Sequence, residues 1–420
     1  MHDDIGNVVS ITAADGSKVA LAYENSALPN LPTSATDAMG GKWTWEYDKQ
    51  GNLAKRIDPL GTQTTFEYKD GLLSTIIGAQ GAQTRLTYDG QGNMQTSISP
   101  DGGRNRWLYD YLGQCTTYTN AQDGKTCYTY NLLGNVIRIT EPDGNQRELN
   151  YDTEGNITLA KDSQREVRFT YCGVNKLASR SEKGATLRFA YDTEDQLRAV
   201  INEAGEEYRF QLDAQGDVIE EIGFDGLRRR YRRDLAGQVT SVVRPNGKEI
   251  TYQYDTLGRI TKITYNPLEK EPEEETYIYN KAGSLIQAIN KESDLTLERD
   301  ILGRIIKESC NGHEIISKYD NENNRIQITS DLGANIKADY NPMGDLLGLK
   351  TNNWQTNYQR DLFGLEISRN IQGGLSTRTT RDNLGRVTGH GIHKNNNKIS
   401  QKTYLWGQND QLLQIDDNGK

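Results

Sequence analysis

The residues with the most chemistry to offer come in a recurring arrangement. In YDTLGRI (254–260) a phenol, Tyr254, stands beside a carboxylate, Asp255, ahead of a turn at Gly258. That is the composition of a proton-transfer pair on a tight loop. Adjacent residues of a strand point to opposite faces, however, so the two are not expected to act on one substrate. The same trio returns as Tyr47, Asp48, Gly51; Tyr88, Asp89, Gly92; Tyr109, Asp110, Gly113; and Tyr151, Asp152, Gly155. A motif met this often points to architecture.

Two further groups have chemical potential. His390 and His393, in GHGIHKNNN, form a weak metal pair: no third ligand has matching spacing, and the stretch reads as a polar, solvated loop. The run LRRRYRRD (227–234) concentrates Arg228, Arg229, Arg230, Arg232 and Arg233, a contact patch suited to an anion, a glycan or a protein cargo. Folding about Asp225-Gly226 would set Glu220 and Glu221 near Arg229 to Tyr231, where cross-strand ion pairs of up to about 1 kcal/mol each satisfy the arginines locally. Phosphate-loop, zinc-protease, nucleophile-elbow and EF-hand motifs are absent. No catalytic, cofactor-binding or metal-ligating residue is assigned, and an enzyme is not expected.

The elements that position the trio follow from its period. Aligned on the Tyr position, units begin at His2, Tyr23, Tyr47, Tyr68, Tyr88, Tyr109, Tyr130, Tyr151, Tyr171, Tyr191, Leu212, Arg233, Tyr254, Tyr279, Arg299, Tyr319, Tyr340, Arg360, Arg381 and Tyr404. That makes 20 units, nearly all 20 or 21 residues apart, with Tyr in 14 and Arg in 4. TRLTYD (84–89) puts Leu86 and Tyr88 on one face and Arg85, Thr87 and Asp89 on the other, the period of a half-buried strand. The Asp can cap the backbone two residues on, and Gly supplies a positive φ. A return strand such as GNMQTSI (92–98) leads to a second turn. There Asp15-Gly16, Asp101-Gly102, Asp123-Gly124, Asp143-Gly144, Asp225-Gly226, Asn246-Gly247 and Asn311-Gly312 are expected to form two-residue hairpin turns.

Connections this short force neighbouring strands to be antiparallel. The expected fold is all-β: a meander of about 40 strands, roughly 20 Å wide and on the order of 190 Å long if flat. A sheet that long twists, and so must coil, close or break into blades. Ten four-stranded propeller blades would exceed the usual range. The array spans residues 1–420, with an irregular excursion at 25–42 and an acidic loop at 266–275, whose part 269–275 reads as a solvated loop and, by its length, as the alternative docking candidate. Both ends fall within the repeat pattern, so the array is expected to be part of a longer one.

Composition agrees with a thin wall. Apolar residues make up 35%, with only 6 Phe and 4 Met but 23 Tyr, and mean hydropathy is −0.78. Such a chain fills thick cores poorly, yet its Tyr, Ile, Val and Thr favour strands over disorder. A net charge of −9 argues against nucleic acid as partner. No apolar run of membrane-spanning length and no secretory signal is found, and the four cysteines, Cys115, Cys127, Cys172 and Cys310, fit no zinc spacing and are expected to be reduced thiols.

YDTLGRI, RDILGRI (299–305), YDTEGNI (151–157) and RDNLGRV (381–387), at about 21-residue spacing, resemble the RHS/YD-repeat family. Its members include bacterial Rhs proteins, the C components of Tc toxin complexes, wall-associated YD proteins and teneurins. The resemblance implies a long sheet wound spirally into a hollow shell, a β-cocoon, which in bacterial members encloses a toxic domain until delivery. It implies as partners the enclosed toxin or effector domain, the remaining shell segments, and a secretion-system spike or toxin-complex component. It also implies a bacterial protein made in the cytoplasm and exported, or held at the cell surface, within a larger polypeptide. Many members close the shell with an aspartyl autoprotease ending in D-P-x-G. Near QNDQLLQIDDNGK no counterpart exists, and Asp58-Pro59-Leu60-Gly61 reads as an ordinary repeat turn, so protease activity is not carried over. The competing reading is a surface or secreted carbohydrate-binding or adhesion module.

Overall fold

The computed structural model describes residues 1–268 and 270–417. Among these it contains thirty-nine strands and no helix. The chain divides into two compact units. The first comprises Met1–Cys127, Tyr279–Gln287 and the residues from Asp294 onward; the second comprises Tyr128–Ile278 and Ala288–Ser293.

One repeat in the second unit shows the rule. Strand Gln146–Tyr151 pairs antiparallel with Ile157–Lys161 through Glu148↔Lys161, Leu149↔Ala160 and Asn150↔Leu159. The register then slips to Tyr151↔Ile157, leaving Thr158 as a bulge. The next ladder, from Ile157–Lys161 to Glu166–Cys172, is shorter: Leu159↔Arg168, Ala160↔Val167 and Lys161↔Glu166 only. The same slip occurs at Tyr47, Tyr88, Tyr109 and Tyr254. At several bulges a threonine fills the gap: the hydroxyls of Thr116, Thr240 and Thr261 donate to the carbonyls of Leu108, Arg232 and Gln253.

Burial follows the expected alternation. In Gln83–Tyr88 the residues Thr84, Leu86 and Tyr88 are half-buried while Gln83, Arg85 and Thr87 are exposed. Very little is buried outright. Among the described residues, Val167, Ala199, Ile250 and Ala338 are the buried apolar side chains. The chain exposes 25621 Å², against about 16,000 Å² for a compact monomer of its mass.

The structure corrects several expectations. Of the seven Asx-Gly pairs, Asn311-Gly312 forms a two-residue turn, with φ of 52° and 87° between partners Cys310 and His313. The others lie in three-residue loops. Ala13 and Ser17, for example, close a loop in which Gly16 alone takes a positive φ, of 80°. Asp15 stays in ordinary space and accepts the Ser17 N–H at 2.9 Å. In the loop after Asn120 it is Asp123, not Gly124, that takes the positive φ, of 62°. A type I turn followed by one left-handed residue matches the twist of the flanking strands and needs just one permissive position.

The stretch 25–42 is irregular over a shorter span than expected, because Ser34–Thr36 forms a strand between Lys18–Ala22 and Lys42–Tyr47. The acidic stretch 266–275 is strand at both ends. Asn266 ends one strand and Glu273, Glu274 and Glu275 begin another, opposite Tyr265, Thr264 and Ile263. Glu274 pairs with Lys262 at 2.9 Å and Glu275 accepts the Tyr277 hydroxyl at 2.6 Å, which gives these carboxylates a reason to be on the sheet. Glu269 lies outside the described residues. His390 and His393 sit in strand Val387–Lys394, not in a loop. Three positions apart on a strand, they face opposite sides and cannot share a metal.

Within the first unit, turns distant in sequence meet. The Gln80 N–H donates to Glu322 Oε1 at 3.0 Å, and Asn120 Nδ2 donates to the Asn383 carbonyl at 3.1 Å.

Candidate functional site: the Tyr-Asp-Gly turn

The short ladder between successive hairpins sets up the recurring site. That ladder stops short of the first residue of the return strand, whose carbonyl is left for another donor. The Tyr of the following repeat supplies one. Tyr109 Oη donates to the Met94 carbonyl at 2.9 Å, Tyr151 to Val136 at 2.7 Å, Tyr171 to Ile157 at 2.9 Å and Tyr254 to Val239 at 2.7 Å. In each case the acceptor lies six residues after the preceding anchor. Tyr88 reaches Leu73 and Tyr47 reaches Pro32, both at 2.9 Å, the offset changing with the length of the intervening turn. Burial pushes the Tyr47, Tyr109 and Tyr254 phenols above their usual range, so they stay protonated and able to donate.

Arginine fills the same role. Arg299 Nε donates to Leu285 at 3.2 Å, Arg360 Nε to Leu346 at 2.8 Å, Arg233 Nη2 to Val218 at 3.4 Å and Arg381 Nη2 to Glu366 at 3.3 Å. Each also donates Nη1 to its own turn, at Gly303, Gly364, Gly237 and Gly385 respectively. The final unit departs from the sequence alignment. Its anchor is Trp406, not Tyr404: the register slips at Leu405/Trp406, and Trp406 Nε1 donates to the Val387 carbonyl at 2.7 Å.

The aspartate works separately from its tyrosine. Asp255 Oδ1 accepts the N–H groups of Leu257 and Arg259 at 2.9 and 3.0 Å, while Gly258 takes φ 79°. Asp48, Asp89, Asp110 and Asp152 accept the corresponding pairs of amides, and Gly51, Gly92, Gly113 and Gly155 all have positive φ. The second carboxylate oxygen binds a residue that sequence reasoning missed, the fifth after the anchor. Asn52 and Asn93 donate Nδ2 to Asp48 and Asp89, and Arg259 donates Nε to Asp255 at 2.6 Å. These side-chain amides hold the Asp48 and Asp89 carboxyls below their usual range. The signal was present in the repeated GN and GR pairs. Asp58-Pro59-Leu60-Gly61 is a repeat turn of the same kind, Asp58 accepting from Leu60 and Thr62. What this arrangement does chemically is close a turn and stitch one hairpin to the next.

The arginine patch has local partners. Arg230 meets Glu220 at 2.8 Å, Arg228 meets Glu220 at 3.5 Å and Arg229 meets Glu221 at 3.3 Å. Arg232 and Arg233 lie 3.8 and 3.9 Å from Glu249 and Asp217. Glu221 also accepts the Tyr208 and Tyr231 hydroxyls, and this bond, with burial second, pushes the Tyr208 phenol up to about 12. In the first unit a cleft of about 510 Å³ is lined by Trp43, Arg56, Arg304, Tyr319 and Arg325 among others. No group of side chains able to hold a metal occurs among the described residues.

A family model described as RHS Repeat matches residues 30–63, 47–72, 68–104, 109–146 and 130–167. Another, described as Teneurin YD-shell, matches residues 160–370, half of the chain. The chain belongs to the RHS/YD-repeat family. No curated protein matches it. Among solved structures, this RHS/YD chain is similar to TcdB2-TccC3, with a TM-score of 0.74 and 14% identity over 98% of this chain and 28% of that one. The related TcdB2-TccC3-TEV gives 0.64 at 14% identity, over 96% and 27%. TcdB2-TccC3-Cdc42 gives 0.52 at 12% identity, over 95% and 23%. At such identities the shared property is the fold. The RHS/YD segment spans 28% or less of the length of these solved chains.

Proposed function

We propose that this chain is a non-catalytic segment of an RHS shell that encloses a toxin or effector domain, in a bacterial toxin complex that is exported or held at the cell surface. The observation that carries the proposal is the thinness of the wall. Its polar groups are consumed in holding turns and hairpins together, its buried apolar side chains are few, and its surface far exceeds that of a compact protein. A sheet of this kind acts through what it surrounds. Enclosure would shield the producing cell from the cargo and restrict the space in which the cargo folds, with contact spread over many side chains. Family membership and the fold shared with TcdB2-TccC3 support this reading. No helix among the described residues is long and apolar enough to cross a membrane.

Limited proteolysis tests the proposal. The chain is co-expressed with the polypeptide segments encoded beside it, and cleavage of the toxin or effector domain is followed with and without it. Protection that depends on this chain is expected. A cargo cleaved equally fast in both cases refutes enclosure, and selective retention on a glycan surface instead would favour an adhesion module.

A further inference from the structure

Two rows of turns face each other in the first unit. One row contains the turns beginning at Asp37, Asp58, Gly78, Ser99 and Asn120; the other contains those beginning at Asp300, Asp320, Asn341, Asp361 and Asp382. All are closed by the same backbone bonds, and within each row they recur every 20 or 21 residues. Rows so regular could slide by one repeat without changing a single turn. Something must choose the register.

In the first row the opening residue normally caps its own turn. Asp37 accepts the N–H groups of Met39 and Gly41, both at 2.8 Å. Asp58 does the same for Leu60 and Thr62, and Asn120 for Gln122 and Gly124. The turn at Gly78 has no side chain with which to do so, although its backbone closes as the others do, Gly81 N–H donating to the Gly78 carbonyl at 3.0 Å. The missing acceptor comes from the other row: Glu322 Oε1 takes the Gln80 N–H at 3.0 Å. A Cβ placed on Gly78 would stand 3.0 Å from that same oxygen, so the glycine leaves the space the carboxylate uses. Glu322 is presented from a firm base, since its own N–H is capped by Asp320 at 2.9 Å. At the matching position the other turns of its row carry Leu302, Met343, Phe363 and Leu384, none of them an acceptor.

We propose that Glu322 is a register-determining clasp, completing from across the seam the Gly78 turn, which has no side chain at its opening position to cap it. Slipping by one repeat would bring its carboxylate against the turn of Asp58 in one direction, or against Ser99 and Asp101 in the other. A negative charge is present there in both cases, and in the Asp58 turn the equivalent amide, that of Leu60, already has its acceptor. Attraction at Gly78 and repulsion at its neighbours together select one alignment. The Asn120 amide, bonded to the Asn383 carbonyl, then falls into place. This rests on the shell reading for its biological meaning, because a wall in wrong register would not seal.

Hydrogen exchange on the intact chain, with no cargo, tests the clasp independently of enclosure. Glu322→Ala should speed exchange of the Gln80 amide by roughly ten- to a hundredfold, the range for losing a hydrogen bond to a charged group. It should also speed exchange in the facing turn at 320–324 while leaving the turn at Asp143 unchanged. The double variant Gly78→Asp/Glu322→Ala restores a local cap, so Gln80 should regain protection while 320–324 stays fast. Gly78→Asp alone, with two carboxylates at one amide, should loosen both sides. Unchanged Gln80 exchange in Glu322→Ala would overturn the proposal, and so would full recovery of 320–324 in the double variant. Normal clasp behaviour with an unprotected cargo would instead count against enclosure alone.

Discussion

Removing one hydroxyl measures how much the stitch between hairpins is worth. Tyr254→Phe keeps the half-buried ring and deletes only the 2.7 Å bond to the Val239 carbonyl. A typical intramolecular hydrogen bond contributes about 1 kcal/mol net, rising to 1–3 kcal/mol where the orphaned partner stays dry. Val239 is half-buried, so the expected loss is about 1–2 kcal/mol. In a repeat array the loss should stay local. Amides flanking the Val239–Val243 and Glu249–Tyr254 strands should exchange roughly 5- to 30-fold faster, and those around Tyr47 should not change. Tyr254→Arg supplies the decisive control, because Arg233, Arg299, Arg360 and Arg381 already make the equivalent bond. It should retain most of the protection that Phe loses. If Phe proves neutral within about 0.3 kcal/mol and Arg is the more damaging of the two, the hydroxyl is not a stitch and the reasoning fails.

Alkali should undo part of the structure by a related route. The Tyr208 phenol titrates at about 12 when folded, above its free value near 10. Its contribution is therefore complete below about pH 10 and lost as pH rises toward 12; a Tyr208 ring NMR signal that moves to its phenolate position near pH 10 while the fold persists would contradict this. Gly155→Ala should cost about 1–2 kcal/mol from backbone strain alone, since φ is 86° and nothing lies within 4 Å of the new methyl. Denaturant titration checks it, and a neutral result would deny the left-handed turn. Arg230→Ala takes a 2.8 Å partner from Glu220, which is 6% exposed, and should destabilise by roughly 1–3 kcal/mol, whereas Glu220→Gln in that background should restore stability. Arg209→Ala, at a pair on the open surface, should change little.

The period-two strands, the capping aspartate and the turn glycine could all be read from the chain, because each depends on neighbours within a few residues. What escaped notice depended on register. The hydroxyl of Tyr254 finds its acceptor fifteen residues back because the ladder to the next strand pairs only Ser241, Val242 and Val243 and stops short of Val239, and no local pattern announces where it stops. Loop length at Asp15-Gly16 was misjudged for the same cause: glycine signals a positive φ but not how many residues precede it. Aligning the last unit on an aromatic letter chose Tyr404, where the donor geometry chooses Trp406. The asparagines after His393 suggested a loop, whereas Asn395 and Asn396 take the two positive φ values of a tight turn and let both flanking strands run on. Glu322 could not be found from sequence at all, since its role depends on a turn 242 residues away.

The alternation of longer and shorter ladders gives the sheet a grain. Within the hairpin from Gln146 to Lys161 four residue pairs face each other, while three link it to the next. A force applied across the strands should therefore part the fabric between hairpins before it opens any one of them. A tethered chain pulled from one end would pay out about 21 residues at a time, in steps of roughly 70 Å, each ended by the tearing of one phenol or guanidinium from its carbonyl. Any machine that must take such a wall apart could do so a row at a time, at nearly constant load.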